Sequence, residues 1–391
     1  MTQSPSAERP ILVAAAGAVA MAAAMGFGRF FYTPVLPGMM IDLPLSAADA
    51  GLIAAGNFAG YLAGAMLAAY GWAAGRERPL AISALGLTSL LLAAMAFTSS
   101  LPLFIFIRFL AGLASAFAMI FTASIVLPYA AGKPTVQSVF FAGVGTGIAV
   151  SSLVALLING FAGDAAHGWR WNWLAGALLV ILATVIITLR LPKPRAGHRP
   201  AREPPIAWTR PLVLLTASYG LFGFGYVVTA TFLVAIARLS AAGPLVEFFA
   251  WFVTGIAAAV SLFLWRPVAR RIGVERVYLV CLLVEAIGVV ASVLMPPVAG
   301  TLLGGLALGL TFITITAYGL QIGGRLAPQS PRRALAFMTV AFGCGQIVGP
   351  LVAGWATQWS GSFTLASIIA ALVLMISLAL MLPLAGRVSG Y

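Results

Sequence analysis

The stretch AMGFGRFFYTPVLPGMM, Ala24 to Met40, carries an arginine inside an otherwise apolar run. The stretch LFGFGYVVTATFLVAIA, Leu221 to Ala237, repeats its Gly-Phe-Gly 197 residues later, with Tyr226 where the first copy has Arg29. Two further correspondences keep nearly the same spacing. GRERPL from Gly75 matches GVERVY from Gly273, 198 residues on, and GVGTG from Gly143 matches GCGQI from Gly343, 200 residues on. Three correspondences in one order imply a chain written twice. Its halves meet at RLPKPRAGHRPAREPPIAWTRP, Arg190 to Pro211, which is rich in Pro and Arg, lacks apolar periodicity and reads as a linker. The expected domains are 1–190 and 211–391, joined by 191–210.

Composition sets the solvent. Of the 391 residues, 62% are hydrophobic and 8% charged, against about 25% charged in a soluble domain. Such a chain cannot coat a globular surface, and a bilayer is the direct reading. A span needs about 20 mostly apolar residues. Twelve helices are predicted, at roughly 11–36, 49–72, 79–98, 102–128, 135–159, 170–190, 211–235, 245–268, 276–295, 298–322, 334–357 and 362–384. They leave no room for a sizeable soluble domain. Ile11 to Met25 could mimic the apolar core of a signal peptide, but the run continues to about Leu36 and reads as a retained first span.

The net charge of +13 invites a nucleic-acid reading, and its placement argues against one. With the N-terminus inside, 18 of the 22 basic residues fall in inside segments: Arg9, Arg76, Arg78, Lys133, Arg190, Lys193, Arg195, Arg199, Arg202, Arg210, Arg266, Arg270, Arg271, Arg276, Arg325, Arg332, Arg333 and Arg387. Outside loops hold Arg170 and Arg238, while Arg29 and Arg108 lie within spans. This is the positive-inside pattern, which predicts cytoplasmic termini. The tryptophans of GWRWNW, Gly168 to Trp173, are expected at the outer interface. Cys281 and Cys344 lie in apolar runs and read as buried thiols. Parallel six-span halves are a transporter architecture with the substrate site at their interface near the midplane.

At this level the chain resembles the major facilitator superfamily, in its YbfB/YjiJ-like branch. GFGRFFYTPVLPGMM in span 1 carries the most specific likeness, and FGCGQIVGPLVAG, Phe342 to Gly354, resembles a second signature. RFLAGLASA from Arg108 is similar to the superfamily's span-4 motif. GRER and RPVARRIGVER resemble its loop motif after span 2 and the repeat of that motif, each without the usual aspartate. The resemblance covers the whole chain. It implies an all-α integral membrane fold of two six-helix bundles rocking about a cavity lined by spans 1, 2, 4, 5, 7, 8, 10 and 11. It names no substrate.

An intramembrane arginine costs roughly 2.5–3.5 kcal/mol and ordinarily faces a bundle interior or a cavity. Helical spacing puts Tyr32 and Thr33 on the face of Arg29, a stripe suited to an anionic or carbonyl-bearing ligand. The alternatives are snorkelling to the interface or satisfying helix-end carbonyls near Pro34. Arg108 reads equally as a coupling residue, by the resemblance, or as a hydrogen bond to span 1 or 2. The first bundle has no in-span carboxylate for either arginine, which leaves room for a substrate anion. Glu285 is the only acidic residue deep in a span. It is the proton-coupling candidate, against the plainer reading of a protonated structural hydrogen bond. Asn57 with Tyr61, Tyr226 with Tyr219 and Thr229, Thr314 and Tyr318 with Thr311 and Gln321, and Gln346 with Thr339 and Phe342 form polar stripes. Such stripes serve a cavity or helix packing. GVGTG and GCGQIVG follow no strand and are packing glycines, not nucleotide loops.

No catalytic set is present. His167 and His198 lie in loops, and no phosphate-binding loop accompanies Lys133. The expected function is therefore a secondary transporter of a small organic solute, anionic in the sharpest reading, working by alternating access with proton coupling by resemblance. A lipid or isoprenoid enzyme would need clustered Asp, His or Cys, and a transporter-like sensor an output domain. The expected partners are the solute, the bilayer of a bacterial inner (plasma) membrane and protons. No nucleic acid, metal, cofactor or second copy of the chain is expected.

Overall fold

The computed structural model describes residues 10–130, 133–162, 167–193 and 203–384. Arg9, Arg195, His198, Arg199, Arg202 and Arg387 lie outside them. The chain is all-helical: α1 (Pro10–Met21), a π-helical segment (Ala22–Phe27), α2 (Tyr32–Asp42), α3 (Ala47–Ala69), α4 (Glu77–Met95), α5 (Leu101–Val126), α6 (Pro134–Ala162), α7 (Gly168–Arg190), α8 (Arg210–Leu239), α9 (Pro244–Ile272), α10 (Val274–Leu294), α11 (Pro297–Leu326), α12 (Pro331–Ser360) and α13 (Phe363–Met381). Twelve units, 19 to 33 residues long, are apolar enough to cross a membrane, the first being Pro10–Asp42. Eleven match the predicted spans to within four residues at each end.

The first span departs from the expected single helix 11–36. It runs on to Asp42 and is broken by the π-helical segment and the turn Gly28–Phe31. Gly28 N–H reaches back five residues to the Ala23 carbonyl (3.0 Å), and Phe30 N–H to that of Met25 (3.0 Å). Pro34 adds a position with no N–H to donate.

Two six-helix bundles make up the molecule. They touch where α6 meets α9, α3 meets α12 and α2 meets α8. Small residues allow the approach. A Cβ on Gly145 would lie 2.2 Å from Ala259 N, one on Gly255 2.3 Å from Ala149 N, and one on Gly51 2.3 Å from the Pro350 carbonyl oxygen. Close helix contact through glycine is a common membrane solution. We call the side bearing the segment between α7 and α8 the linker side. Thr33–Ala230, Ser152–Phe248 and Gly354–Ala47 all join the bundles on the opposite side.

Two expectations about side chains are corrected. Trp169 and Trp173 are buried, and only Trp171 of that group is exposed. Trp173 packs edge-on against Phe31, and Trp169 against Phe104. The helix turns that pair inward against the broken first span. Cys281 is buried as expected, but Cys344 is exposed, because its face of α12 looks outward.

Candidate functional site

A break inside a membrane helix frees carbonyls that no water reaches, so neighbours must supply donors. Here one side chain supplies both. Arg108, on α5 and 2% exposed, donates from Nη1 to the Gly28 carbonyl (3.1 Å) and from Nη2 to that of Arg29 (2.8 Å). A guanidinium presents parallel N–H groups in a fixed fork, which fits two successive carbonyls. Asn57, on α3, donates to the Arg108 carbonyl (3.0 Å) and lies 3.5 Å from that of Gly28. The Tyr32 and Trp173 rings lie 5.3 and 5.9 Å from the guanidinium carbon.

The break also redistributes the stripe expected around Arg29. Tyr32 turns toward Arg108 and donates to the Ala50 carbonyl (3.1 Å). Thr33 donates across the bundle interface to the Ala230 carbonyl (2.6 Å). Neither shares a face with Arg29, because regular helical spacing stops at Gly28. The Arg29 guanidinium instead lies over the rings of Tyr61 (4.2 Å), Phe58 (4.7 Å) and Phe30 (5.6 Å). It is 4% exposed, and its Nε and Nη2 are buried without hydrogen-bond partners. Among the described residues it forms no ion pair.

In the second bundle Gln346 donates from Nε2 to the Tyr226 hydroxyl, and its Oε1 has no partner. Tyr226 stacks on Phe312 and Phe342, with ring centroids 5.9 and 5.7 Å away. It lies within electrostatic reach of both Arg29 and Glu285. The Thr314 hydroxyl is buried and unpartnered, and Tyr318 is buried on the same helix, α11. Glu285, on α10, accepts from Thr311 through Oε2 (2.8 Å), while Oε1 has no partner. The predicted residues thus form separate groups: Arg29 in its aromatic cage, Arg108 with Asn57 and Tyr32 at the break, Tyr226 with Gln346, and Glu285 with Thr311. Among the described residues no group of acidic, His and Cys side chains could hold a metal.

An aromatic layer covers the Tyr226 group and was not anticipated. Phe30 packs on Trp251 (6.4 Å) and on Phe312 (6.0 Å), with Ile148 and Ala230 alongside. One helical turn farther toward the opposite side, Pro34, Ser152, Val234 and Phe248 wall a crevice of about 740 Å³. The layer lies one helical turn below that crevice. Its signal in the sequence was Trp251, a tryptophan two turns inside a span, where interfacial anchoring does not account for it. The Arg238–Glu247 ion pair lines the mouth of the crevice.

Residues 21–382 match the family described as uncharacterised MFS-type transporter YbfB. No curated protein matches the chain in sequence. Among solved structures, a variant of the nucleoside transporter NupG is similar, with a TM-score of 0.74 at 14% identity over 95% of this chain and 99% of that one. A bacterial homologue of the human lysosomal transporter Spinster, in an inward-facing and unoccupied conformation, has a TM-score of 0.74 at 14% identity, covering 97% of this chain and 98% of its own. At such identity the likeness concerns the fold alone.

Proposed function

The chain belongs to the family of the uncharacterised MFS-type transporter YbfB, and from that premise we propose that it moves a small organic anion by alternating access, with Arg29 as the residue that receives the anionic group. The observation that carries this reading is the Arg29 guanidinium. It is buried, charged and caged by aromatic faces, with two nitrogens unpartnered. Cation–π contact compensates part of the burial, about 2 kcal/mol when desolvated, but leaves the Nε and Nη2 donors unused. A carboxylate or phosphate would take them in a bidentate, charge-assisted pair. The Gln346 Oε1, unpartnered across the interface, offers an acceptor to a donor group on the same solute. Arg108 has both terminal nitrogens committed to the break, so its part is to hold Arg29 in place.

The two bundles are the moving bodies in this proposal. The positive-inside count supports a cytoplasmic linker side, and the membrane of this proposal is a bacterial inner membrane. The contacts between bundles on the opposite side then correspond to closure toward the exterior. Proton coupling is assigned to Glu285, whose second oxygen is unpartnered.

Reconstitution tests the reading. Arg29→Gln should abolish uptake of a transported organic anion into proteoliposomes while thermal stability stays equal or rises, since a neutral amide removes the cost of burying an unpaired charge. Unchanged kinetics would refute the role of Arg29. Glu285→Gln should lose accumulation driven by an imposed pH gradient and keep solute exchange. Retained accumulation would remove the proton from this site.

A further inference from the structure

An outward-facing groove of about 570 Å³ runs between α8 and α12, away from the bundle interface. Val213, Ala217 and Phe224 line it on α8, and Ala341, Cys344 and Val348 on α12. Its floor is the closest approach of the two helices, where a Cβ on Gly345 would lie 2.1 Å from the Gly220 carbonyl oxygen. From Val213 to Phe224 the groove is eleven residues deep, about 16 Å at 1.5 Å per residue. That is about half of a 30 Å hydrocarbon core, the reach of one acyl chain in one leaflet.

The groove mouth, on the linker side, is chemically distinct from its wall. Trp208 lines it and packs edge-on against Phe337, with centroids 5.1 Å apart. Tryptophan prefers the headgroup level. Each wall helix then begins with an exposed arginine on the groove stripe. Arg210 stands three residues before Val213, and Arg333 four before Phe337. Helical spacing of three and four puts them on those faces. Neither forms an ion pair among the described residues. Their neighbour Arg332 is held by Glu203 (2.9 Å), which also accepts from the backbone N–H groups of Arg332 and Arg333 (both 3.1 Å). Desolvation works against the charge on Glu203, but these bonds and the Arg332 cation outweigh it and hold the carboxyl below its usual range. The clamp anchors the strap, residues 203–209, that brings Trp208 over the groove.

We propose that this groove is a binding site for an anionic phospholipid, with one acyl chain between α8 and α12 and the phosphate at Arg210 and Arg333. Apolar depth alone would accept any lipid. The arginine at the head of each wall selects the anionic one, as basic positions between membrane helices do. The site does not depend on the transport reading or on which anion Arg29 meets.

The test is lipid titration of the purified chain in detergent, read by native mass spectrometry. Dioleoylphosphatidylglycerol should be retained at least tenfold more tightly than dioleoylphosphatidylcholine. Arg210→Gln/Arg333→Gln should bring the first down to the second. Arg270→Gln/Arg271→Gln, exposed arginines on the same side outside the groove, should leave the preference intact. Cys344 is the exposed cysteine of the two and lines the groove, so its maleimide labelling in the wild-type chain should slow several-fold with phosphatidylglycerol and not with phosphatidylcholine. Equal retention of the two lipids, an equal loss in the control variant, or unprotected Cys344 would each overturn the proposal.

Discussion

The Gly-Phe-Gly of the first bundle lies in a broken helix, and that of the second in a continuous one. In both copies the first glycine serves the same approach. A Cβ on Gly26 would lie 2.5 Å from the Gly147 backbone on α6, and one on Gly223 2.5 Å from the Phe342 carbonyl oxygen on α12. α6 and α12 are themselves repeat counterparts, so this packing is common to both halves. Beyond it the copies diverge. α8 runs unbroken from Arg210 to Leu239, whereas the first span opens at Gly28. The difference lies in the neighbour as well as in the motif, where Pro34 has Thr231 as its counterpart. α5 brings Arg108 to the freed carbonyls. α11, its counterpart, reads GGLAL from Gly304 to Leu308 at the corresponding depth and has no donor to offer. A break can persist in a membrane only where a side chain completes it.

Removing that completion should have the largest effect. Arg108→Leu leaves the buried Arg29 carbonyl without a donor and the Gly28 carbonyl with only the long contact from Asn57 (3.5 Å), an unsatisfied buried group costing about 1–3 kcal/mol. The backbone cannot be deleted along with its partner, so relief of the buried charge does not cancel the loss. We expect destabilisation of roughly 2–5 kcal/mol, seen as a lower midpoint in thermal unfolding in detergent. Arg108→Lys should recover only part of it, because an ammonium does not reproduce the fork. Wild-type stability in Arg108→Leu would mean that the break holds itself.

The glycines test what the copies share. Gly26→Ala and Gly223→Ala each push a Cβ into the backbone of a neighbouring helix, where no side chain can rotate away. Each should cost about 1–3 kcal/mol, and the two should be alike. A much larger loss for Gly26→Ala would show that the break, and not only the helix contact, needs that glycine.

Much of this fold was legible in the sequence because the signals were long and redundant. Spans 19 to 33 residues long and a repeat marked by three correspondences do not depend on any single side chain. The candidate site was legible at the level of residue type: Arg29, Arg108 and Tyr226 stand out because polar groups in an apolar run demand explanation. Their neighbours were not legible. Placing Tyr32 and Thr33 beside Arg29 assumed an unbroken helix, and the break depends on Arg108, 80 residues away. The buried Trp169 and Trp173 were misplaced for a related reason. A tryptophan near a span end suits either the interface or a partner ring, and local sequence does not say which faces it.

Tyr226→Phe probes the second copy alone. It leaves the Gln346 amide without its hydroxyl partner and should cost about 0.5–1.5 kcal/mol. On the proposed reading, in which the tyrosine–glutamine pair meets the solute together with Arg29, it should raise KM more than it lowers kcat. Equal KM values would remove that pair from solute binding.

The smallest expected effect concerns a hydrogen bond that joins the two copies. Thr33 and Ala230 are 197 residues apart, the same spacing as the repeat, so the Thr33 hydroxyl meets the backbone of its own counterpart. A strict two-fold would supply a second hydroxyl from position 230, but alanine has none, and the contact is made from one side. Thr33→Val should therefore remove the bond entirely, whereas no substitution at Ala230 can delete its carbonyl. An intramembrane bond of this kind contributes about 0.6 kcal/mol, roughly a threefold change in an equilibrium between two conformations. A cysteine placed at Ile148, inside the closed aromatic layer, reports on it in a chain whose Cys344 is replaced by serine. Its labelling from the opposite side should rise about threefold in Thr33→Val. An unchanged rate would mean that the aromatic layer and the glycine contacts keep that side shut without the bond.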